Sequence, residues 1–197
     1  MFAFLDIETT GLDPKTDFIL EIGWVLTDGY LNELLPGKSS IVEQPYWPVV
    51  YDKIDSNAFV QQMHNASGLR QDMQFSTQDR FLDLREIREE FMADVMLARR
   101  GVTGEPVHLA GYSVGFDRGF LEETPEWGPL FKTKEFGWQM HHRLLDLSSV
   151  IMLYGTADRP APVAEVYNTN PHRALNDALD SLDVARQMSR EISWIPA

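Results

Sequence analysis

The sequence predicts an α/β fold, in which strands and helices alternate along the chain. Two apolar segments, 1–6 and 18–28, have the composition of buried strands and flank the turn Gly11-Leu12-Asp13-Pro14. Two later segments, 79–100 and 173–190, carry apolar residues at helical spacing. We therefore expect a sheet that begins with adjacent N-terminal strands and is covered by helices from the rest of the chain.

The elements between these segments are less regular. A third strand is predicted within 39–50, where Pro45 and Pro48 interrupt it, and it would extend the first two strands into a meander. Segment 106–113 predicts another strand, and a short helix follows from about Asp117. Two further expectations concern helices: one over 141–154, and a cap at Ser76 or Thr77 for the helix 79–100.

Length and composition restrict the class of protein. The 197 residues suit a single domain over 1–197, and the absence of cysteine excludes disulfides, thiolate zinc sites and cysteine nucleophiles. No apolar leader or membrane span is visible, so we expect a cytoplasmic protein with no membrane partner. A net charge of −13 argues against gripping a long duplex but allows a short nucleic acid held by few cations.

Asp6 and Glu8 are the first candidates for chemistry. Residues two apart on a strand point to the same face, so these carboxylates would lie side by side at the end of an apolar strand. Their mutual repulsion and desolvation require a positive partner, and a divalent cation is the usual one. The alternative is a pair of surface acids at a strand end.

Asp117, His172 and Asp177 are weaker candidates when taken alone. Asp117 stands at a strand-to-helix junction, where an aspartate is often only a helix cap. His172 would lie in the loop before the last helix, free to swing over a site that Asp177 lines. The helical stripe Leu175, Leu179 and Leu182 falls on the opposite side from Asp177, which by itself predicts a solvated helix face.

Taken together, the acids and His172 indicate a function more specifically than any of them does alone. Asp6-x-Glu8-Thr9-Thr10-Gly11, then Asp117, then His172 five residues before Asp177, resembles the DEDDh exonucleases of the DnaQ-like superfamily over nearly the whole chain. The resemblance implies a ribonuclease H-like mixed β-sheet flanked by α-helices. It also implies that the four acids hold two divalent cations, Mg²⁺ or Mn²⁺, and that His172 is the general base in 3′→5′ hydrolysis.

Within that group the chain is most similar to the oligoribonucleases. Three stretches carry this similarity: His64–Leu69, Ala110–Arg118 and His142–Ser149. The resemblance implies a homodimer that degrades short single-stranded RNA, or DNA, with dinucleotides preferred. It also implies the following substrate contacts: Leu12 as a wedge between two bases, Phe59 as a stacking aromatic, His64 near the 3′ end, and Ser113, Arg143 and Ser148 on the 5′ phosphate.

Three other interpretations are considered. One is an exonuclease of the same chemistry that proofreads or trims longer strands, against which the acidic charge argues. Another is a binding module that has kept the fold without the chemistry, since fold does not imply function. A structural or interaction protein has no reason to place two carboxylates at the end of an apolar strand.

Overall fold

The computed structural model describes residues 1–75, 81–99, 106–132, 140–154 and 172–192. Within these ranges the chain forms a mixed six-stranded sheet in the order β4-β3-β2-β1-β5-β6, with helices on both faces. The α/β prediction is therefore confirmed. In this part of the chain no helix has the length and apolar composition needed to cross a membrane.

The N-terminal meander forms the centre of the sheet. Strand β1 (Phe2–Thr9) pairs antiparallel with β2 (Ile19–Thr27), which pairs antiparallel with β3 (Lys38–Val42). All nine residues of β2 are buried, as expected for a strand with neighbours on both sides and helices on both faces. The register places Asp6 opposite Gly23 and Glu8 opposite Glu21.

The prediction of a third strand within 39–50 is wrong for the second half of that segment. Strand β3 ends at Val42, and the chain is helical from Trp47 because Pro48 fits the first turn of a helix. Three short helices follow: α1 (Trp47–Ser56), α2 (Ala58–Ala66) and α3 (Leu69–Phe75). They pack together around Val50, Ile54 and Leu69, and so cover one end of the sheet.

Helix α4 begins later than the sequence suggested. Strand β4 (Phe81–Leu82) comes first, and α4 (Leu84–Ala98) starts at a capping box between Asp83 and Glu86. A cap at Ser76 or Thr77 lies outside the described residues. Apolar side chains of α4, including Ile87 and Phe91, cover the face of the sheet to which Ala3, Leu5 and Ile7 point.

The chain then adds the last two strands. Strand β5 (His108–Gly111) runs parallel to β1 and leads into α5 (Gly115–Glu123) and α6 (Gly128–Lys132). The predicted helix 141–154 is wrong in its first half. Residues Leu145–Asp146 form β6, which pairs with Ala110 and Gly111 of β5, and α7 (Leu147–Tyr154) begins only after that pairing.

Helix α8 (Ala174–Ile192) crosses the other face of the sheet, to which Phe4, Asp6 and Glu8 point. The predicted stripe of Leu175, Leu179 and Leu182 is only partly correct, because Leu182 is buried whereas the first two leucines are half-buried. The buried side consists of small residues such as Ala174 and Ala178, which allow a close approach to the strands. Asp177 lies about 60° from Ala174 around an ideal helix, so it faces the sheet edge rather than solvent.

Candidate active site

Asp6 and Glu8 lie at the carboxyl end of β1 on the face that α8 covers. Because Phe4 points to the same face and packs against α8, strand alternation carries both acids beneath the start of that helix. Glu8 is 5% exposed, and Asp6 is half-buried. The interpretation of these residues as two surface acids is therefore wrong for Glu8, which a folded chain does not bury without a compensating group.

Asp117 joins them from the middle of the sequence. It lies in the first turn of α5 and is 3% exposed. Its Oδ1 accepts a hydrogen bond of 3.0 Å from the backbone N–H of Ile7, the residue between the first two acids. Asp117 is therefore held against β1 and is not the N-cap of its helix, since that position belongs to Val114.

His172 and Asp177 come from the start of α8. The backbone N–H of His172 donates to Asp177 Oδ2 at 3.0 Å, so the loop residue and the helix residue are locked together. One ligand atom each of Glu8, His172 and Asp177 lies within 4.8 Å of the other two. His172 has a φ of 63°, which a residue with a side chain rarely adopts and which surrounding contacts must maintain.

Desolvation is the main obstacle to ionisation of the four acids, and for Asp6 and Glu8 the charges of neighbouring acids add to it. Desolvation, together with the charges of Asp117 and Glu8, raises the pKa of Asp6 well above its usual range. Desolvation, with Asp177 next in importance, raises the pKa of Glu8 to about 8. Burial also raises the pKa of Asp117 to about 7 and that of Asp177 to about 6. Such a set is unfavourable as four anions unless cations neutralise it.

These residues fit a divalent metal. Their carboxylate oxygens are the hard donors that Mg²⁺ and Mn²⁺ prefer, and burial without matching basic side chains leaves a need for positive charge. Arg173 lowers the pKa of Glu8, but its guanidinium is hydrogen-bonded to two other acids, Glu21 and Asp72.

His64 is placed next to this cluster but is fully buried. Its Nε2 lies 2.9 Å from the carbonyl oxygen of Thr9, and its Nδ1 lies 3.8 Å from Glu8 Oε2. Burial lowers the pKa of His64, which favours the neutral ring. Contact of His64 with a substrate stays a prediction.

A cleft of about 270 Å³ opens beside the acids. Leu12 and Phe59, predicted as base contacts, both line it and are 83% and 71% exposed. Exposed apolar side chains next to a charged site are suited to contact bases. Phe116 and Met63 also line the cleft, and the sequence analysis missed both, although Phe116 directly precedes Asp117.

Of the three predicted phosphate contacts, the structure brings Ser113 and Ser148 together but does not join Arg143 to them. The backbone N–H of Ser113 donates to Ser148 Oγ at 3.0 Å, and the two hydroxyl oxygens also lie 3.0 Å apart. Ser113 has a φ of 48°, again a strained value. The side chain of Arg143 is exposed, and among the described residues no hydrogen bond joins it to either serine.

The sequence analysis also missed a buried ion pair behind the acids. Glu21, 2% exposed on β2, accepts hydrogen bonds of 3.1 Å from Arg173 Nε and Nη2 and from the backbone N–H of Ala174. Arg173 Nη1 reaches Asp72 Oδ2 of α3 at 2.7 Å. A charged residue within the apolar strand 18–28 was the available signal.

Sequence comparisons agree with this arrangement. A family model described as an exonuclease, RNase_T, matches residues 3–185. The oligoribonuclease of Pseudoalteromonas translucida is 31% identical, covering 91% of this chain and 88% of its own length. The oligoribonuclease of Streptomyces griseus is 32% identical over 98% of this chain and 87% of its own. The expected resemblance is thereby confirmed.

Structural comparisons support the fold. E. coli ExoI in a zinc-bound complex with single-stranded DNA superposes with a TM-score of 0.57 at 13% identity, covering 98% of this chain. An exonuclease I from Methylocaldum szegediense gives a TM-score of 0.55 at 18% identity over 96% of the chain. This chain spans only 41% and 40% of those longer proteins. The likeness confirms the ribonuclease H-like exonuclease fold.

Proposed function

The chain belongs to the exonuclease family, in its oligoribonuclease branch, and on that premise we propose that it hydrolyses short single-stranded RNA, dinucleotides above all, by a two-metal mechanism. Family membership makes it a metal-dependent 3′→5′ exonuclease. The substrate and the mechanism in this proposal are supported by two features that adjoin each other at one edge of the sheet. A cluster of four acids, of which Glu8 and Asp117 are buried, adjoins a small cleft lined by exposed apolar side chains.

Four residues, Asp6, Glu8, Asp117 and Asp177, would hold the cations. Two bound divalent cations supply charge neutralisation at the phosphate and a water of lowered pKa. Glu8 and Asp177 are the acids that lie within reach of His172. Because the pKa values of the acids are raised, the cluster retains protons near neutral pH when no cation is bound. Bound cations would therefore change its ionisation most in that pH range.

His172 would act as the general base. Its ring is exposed, so a water molecule can reach it, and the bond from its backbone to Asp177 fixes its position beside the acids. Histidine is the side chain most often used as a general base, because a neutral imidazole nitrogen can accept a proton. His172 therefore has the access and the chemistry to take a proton from the attacking water.

The cleft supports a preference for short substrates. Leu12 and Phe59 can each contact a base, while a cleft of about 270 Å³ holds little more than that. Just beyond the carboxyl end of β5, the bonded pair Ser113 and Ser148 offers hydroxyl groups to a 5′ phosphate, and the exposed Arg143 side chain can add charge. A homodimer in the cytoplasm, in which the partner chain completes this phosphate site, is part of the proposal.

The test is product analysis of 5′-phosphorylated RNA of two, three, five and twenty nucleotides, with Mg²⁺, with Mn²⁺ and with chelator. Preferential cleavage of the dinucleotide, abolished by chelator, supports the proposal. Equal or faster cleavage of the twenty-mer contradicts the length preference but keeps the chemistry. Absence of cleavage with either metal, together with metal-independent binding, would favour a catalytically idle binding module. Light scattering of the same sample tests the dimer.

A further inference from the structure

A second group of charged residues lies next to the acidic cluster. Glu21, Arg173 and Asp72 connect β2, the start of α8 and α3 through the hydrogen bonds described above. We propose that Glu21 and Arg173 are positioning residues, which fix the start of α8 and thereby place His172 and Asp177 over Glu8. The inference rests on the proposed exonuclease function but names residues with no direct part in its chemistry.

Both carboxylate oxygens of Glu21 accept hydrogen bonds from other residues of the chain. Its Oε1 accepts from Arg173 Nη2, and its Oε2 accepts from Arg173 Nε and from the backbone N–H of Ala174, all at 3.1 Å. The carboxylate therefore satisfies the first N–H group of α8 while it forms a forked pair with the guanidinium. With both oxygens occupied, Glu21 is a structural acid although it stands directly opposite Glu8 in the sheet.

Arg173 lies between His172 and Asp177, the two residues whose positions it is proposed to fix. His172 directly precedes it with a φ of 63°, and Asp177 is joined to it by the backbone bond from Asp177 N–H to Arg173 O of 3.0 Å. A non-glycine residue in that conformation persists only where neighbouring contacts determine it. Four side-chain and backbone bonds at Arg173 and Ala174 provide such contacts immediately after His172.

Gly23 supplies an independent constraint on the same junction. A β-carbon at Gly23 would collide with the backbone of Ala174 and Leu175, so α8 starts in direct contact with β2. Glu21 and Gly23 point to the same face of β2, since they are two residues apart. The strand therefore fixes both the distance and the orientation of the helix start.

The first experiment compares Arg173→Ala with Arg186→Ala on a 5′-phosphorylated RNA dinucleotide with Mn²⁺. Arg186 is the matched control because it lies on the same helix and also bonds acids, Asp183 and Glu33, away from the site. We expect Arg173→Ala to lower kcat about 10- to 100-fold, as misplaced catalytic groups do, with KM changed less than about threefold. Arg186→Ala should leave kcat unchanged. A rise in KM with unchanged kcat would instead make Arg173 a substrate-binding residue and overturn the proposal.

Conservative and paired variants test whether geometry is the cause. Arg173→Lys keeps the charge but loses the fork, so its kcat should stay well below that of the wild type. Full activity of Arg173→Lys would contradict positioning by the forked bonds. Because two of the bonds join Glu21 to Arg173 directly, the double variant Glu21→Gln with Arg173→Ala should lose clearly less kcat than the product of the two single losses. Fully multiplied losses would show that the bonds between the two residues do not matter and would overturn the proposal.

A readout without turnover separates this inference from the proposed function. Amide hydrogen exchange in the metal-free protein reports the bonds of His172 and Asp177 directly. Arg173→Ala should speed exchange at both amides about tenfold or more while the buried end of α8, near Met188, exchanges as in the wild type. Unchanged exchange at both amides overturns the proposal, even if the wild type cleaves RNA. If the wild type cleaves nothing, the proposed function fails and this exchange still decides the role of Arg173.

Discussion

The backbone N–H of Ile7 donates to Asp117 Oδ1 at 3.0 Å, joining residues that are 110 positions apart in the sequence. This bond sets the third acid between the first two, because Ile7 separates Asp6 from Glu8. A carboxylate that bonds a buried N–H is oriented as well as placed. The proposed metal site is thus built on a contact between a strand backbone and the first turn of a helix.

Removing the charge of Asp117 should abolish turnover. Asp117→Asn keeps the size of the side chain and an oxygen that can accept from Ile7, but it loses the charge that a cation requires. We expect kcat to fall roughly 10²- to 10³-fold or more, since metal catalysis supplies several kcal/mol. Asp183→Asn on α8 is the control, because Asp183 is exposed and pairs with Arg186. Calorimetry should show weaker Mn²⁺ binding by Asp117→Asn alone.

Stability without metal should depend on pH in the neutral range. The pKa values of Glu8, Asp117 and Asp177 are raised to about 8, 7 and 6, so the folded chain binds protons more tightly than the unfolded chain. The resulting stabilisation is complete below about pH 4 and is lost as the pH rises through 6 to 8. Thermal unfolding with chelator should give a Tm that falls from pH 6 to pH 9.

Two comparisons make that pH dependence specific. Added Mn²⁺ should reduce the fall in Tm, because bound cations favour the ionised carboxylates. Glu8→Gln should also flatten it, since that side chain no longer titrates. A Tm that is independent of pH in the chelated wild type would contradict the raised pKa values.

His172→Ala should separate proton transfer from metal binding. Loss of a general base costs about 10² to 10⁴ in rate, while the four acids remain in place. Mn²⁺ binding by calorimetry should therefore stay within a few-fold of the wild type. A rate equal to that of the wild type would refute the general-base assignment. Loss of Mn²⁺ binding together with rate would make His172 a metal ligand instead, which its closeness to Glu8 and Asp177 permits.

Truncation of the cleft side chains should weaken substrate binding. Leu12→Ala and Phe59→Ala remove exposed apolar groups, so neither should lower the free energy of unfolding appreciably. Stacking of a base on an aromatic ring is worth about 1–3 kcal/mol, and Phe59→Ala should raise KM for a dinucleotide by roughly 5- to 150-fold. Phe75→Ala is the control, since Phe75 is an exposed aromatic residue that does not line the cleft. Equal KM values for Phe59→Ala and Phe75→Ala would remove Phe59 from the substrate site.

Gly23→Ala should disturb the protein far more than its size suggests. The added β-carbon would meet the backbone of α8, and overpacking of this kind costs about 1–3 kcal/mol in the free energy of unfolding. Gly119→Ala on α5 is the matched control, because its β-carbon would enter open space and alanine favours a helix by about 0.5–1 kcal/mol. Denaturant unfolding should therefore shift in opposite directions for the two variants. Equal shifts of the unfolding transition in the two variants would show that the close approach of α8 to Gly23 does not affect stability.

The sequence by itself determined the class of fold and pointed to the candidate chemical residues. Apolar runs marked β1 and β2, and apolar residues at helical spacing marked α4 and α8, because each of these elements buries side chains along its whole length. The order of acids and His172 then indicated the family, which the comparisons confirmed. Short elements such as β4, β6 and α1 to α3 were missed or misplaced, since few residues carry little periodic signal.

Only the tertiary structure decided how those residues meet. Periodicity placed Asp177 on a solvated face, but the small residues Ala174 and Ala178 pack on the sheet and turn it toward Glu8. Nothing local marked Glu21 and Arg173 as partners, because they are 152 positions apart in the sequence. Sequence patterns report what each segment must bury, whereas the desolvation and repulsion that shape this site arise only where distant segments come together.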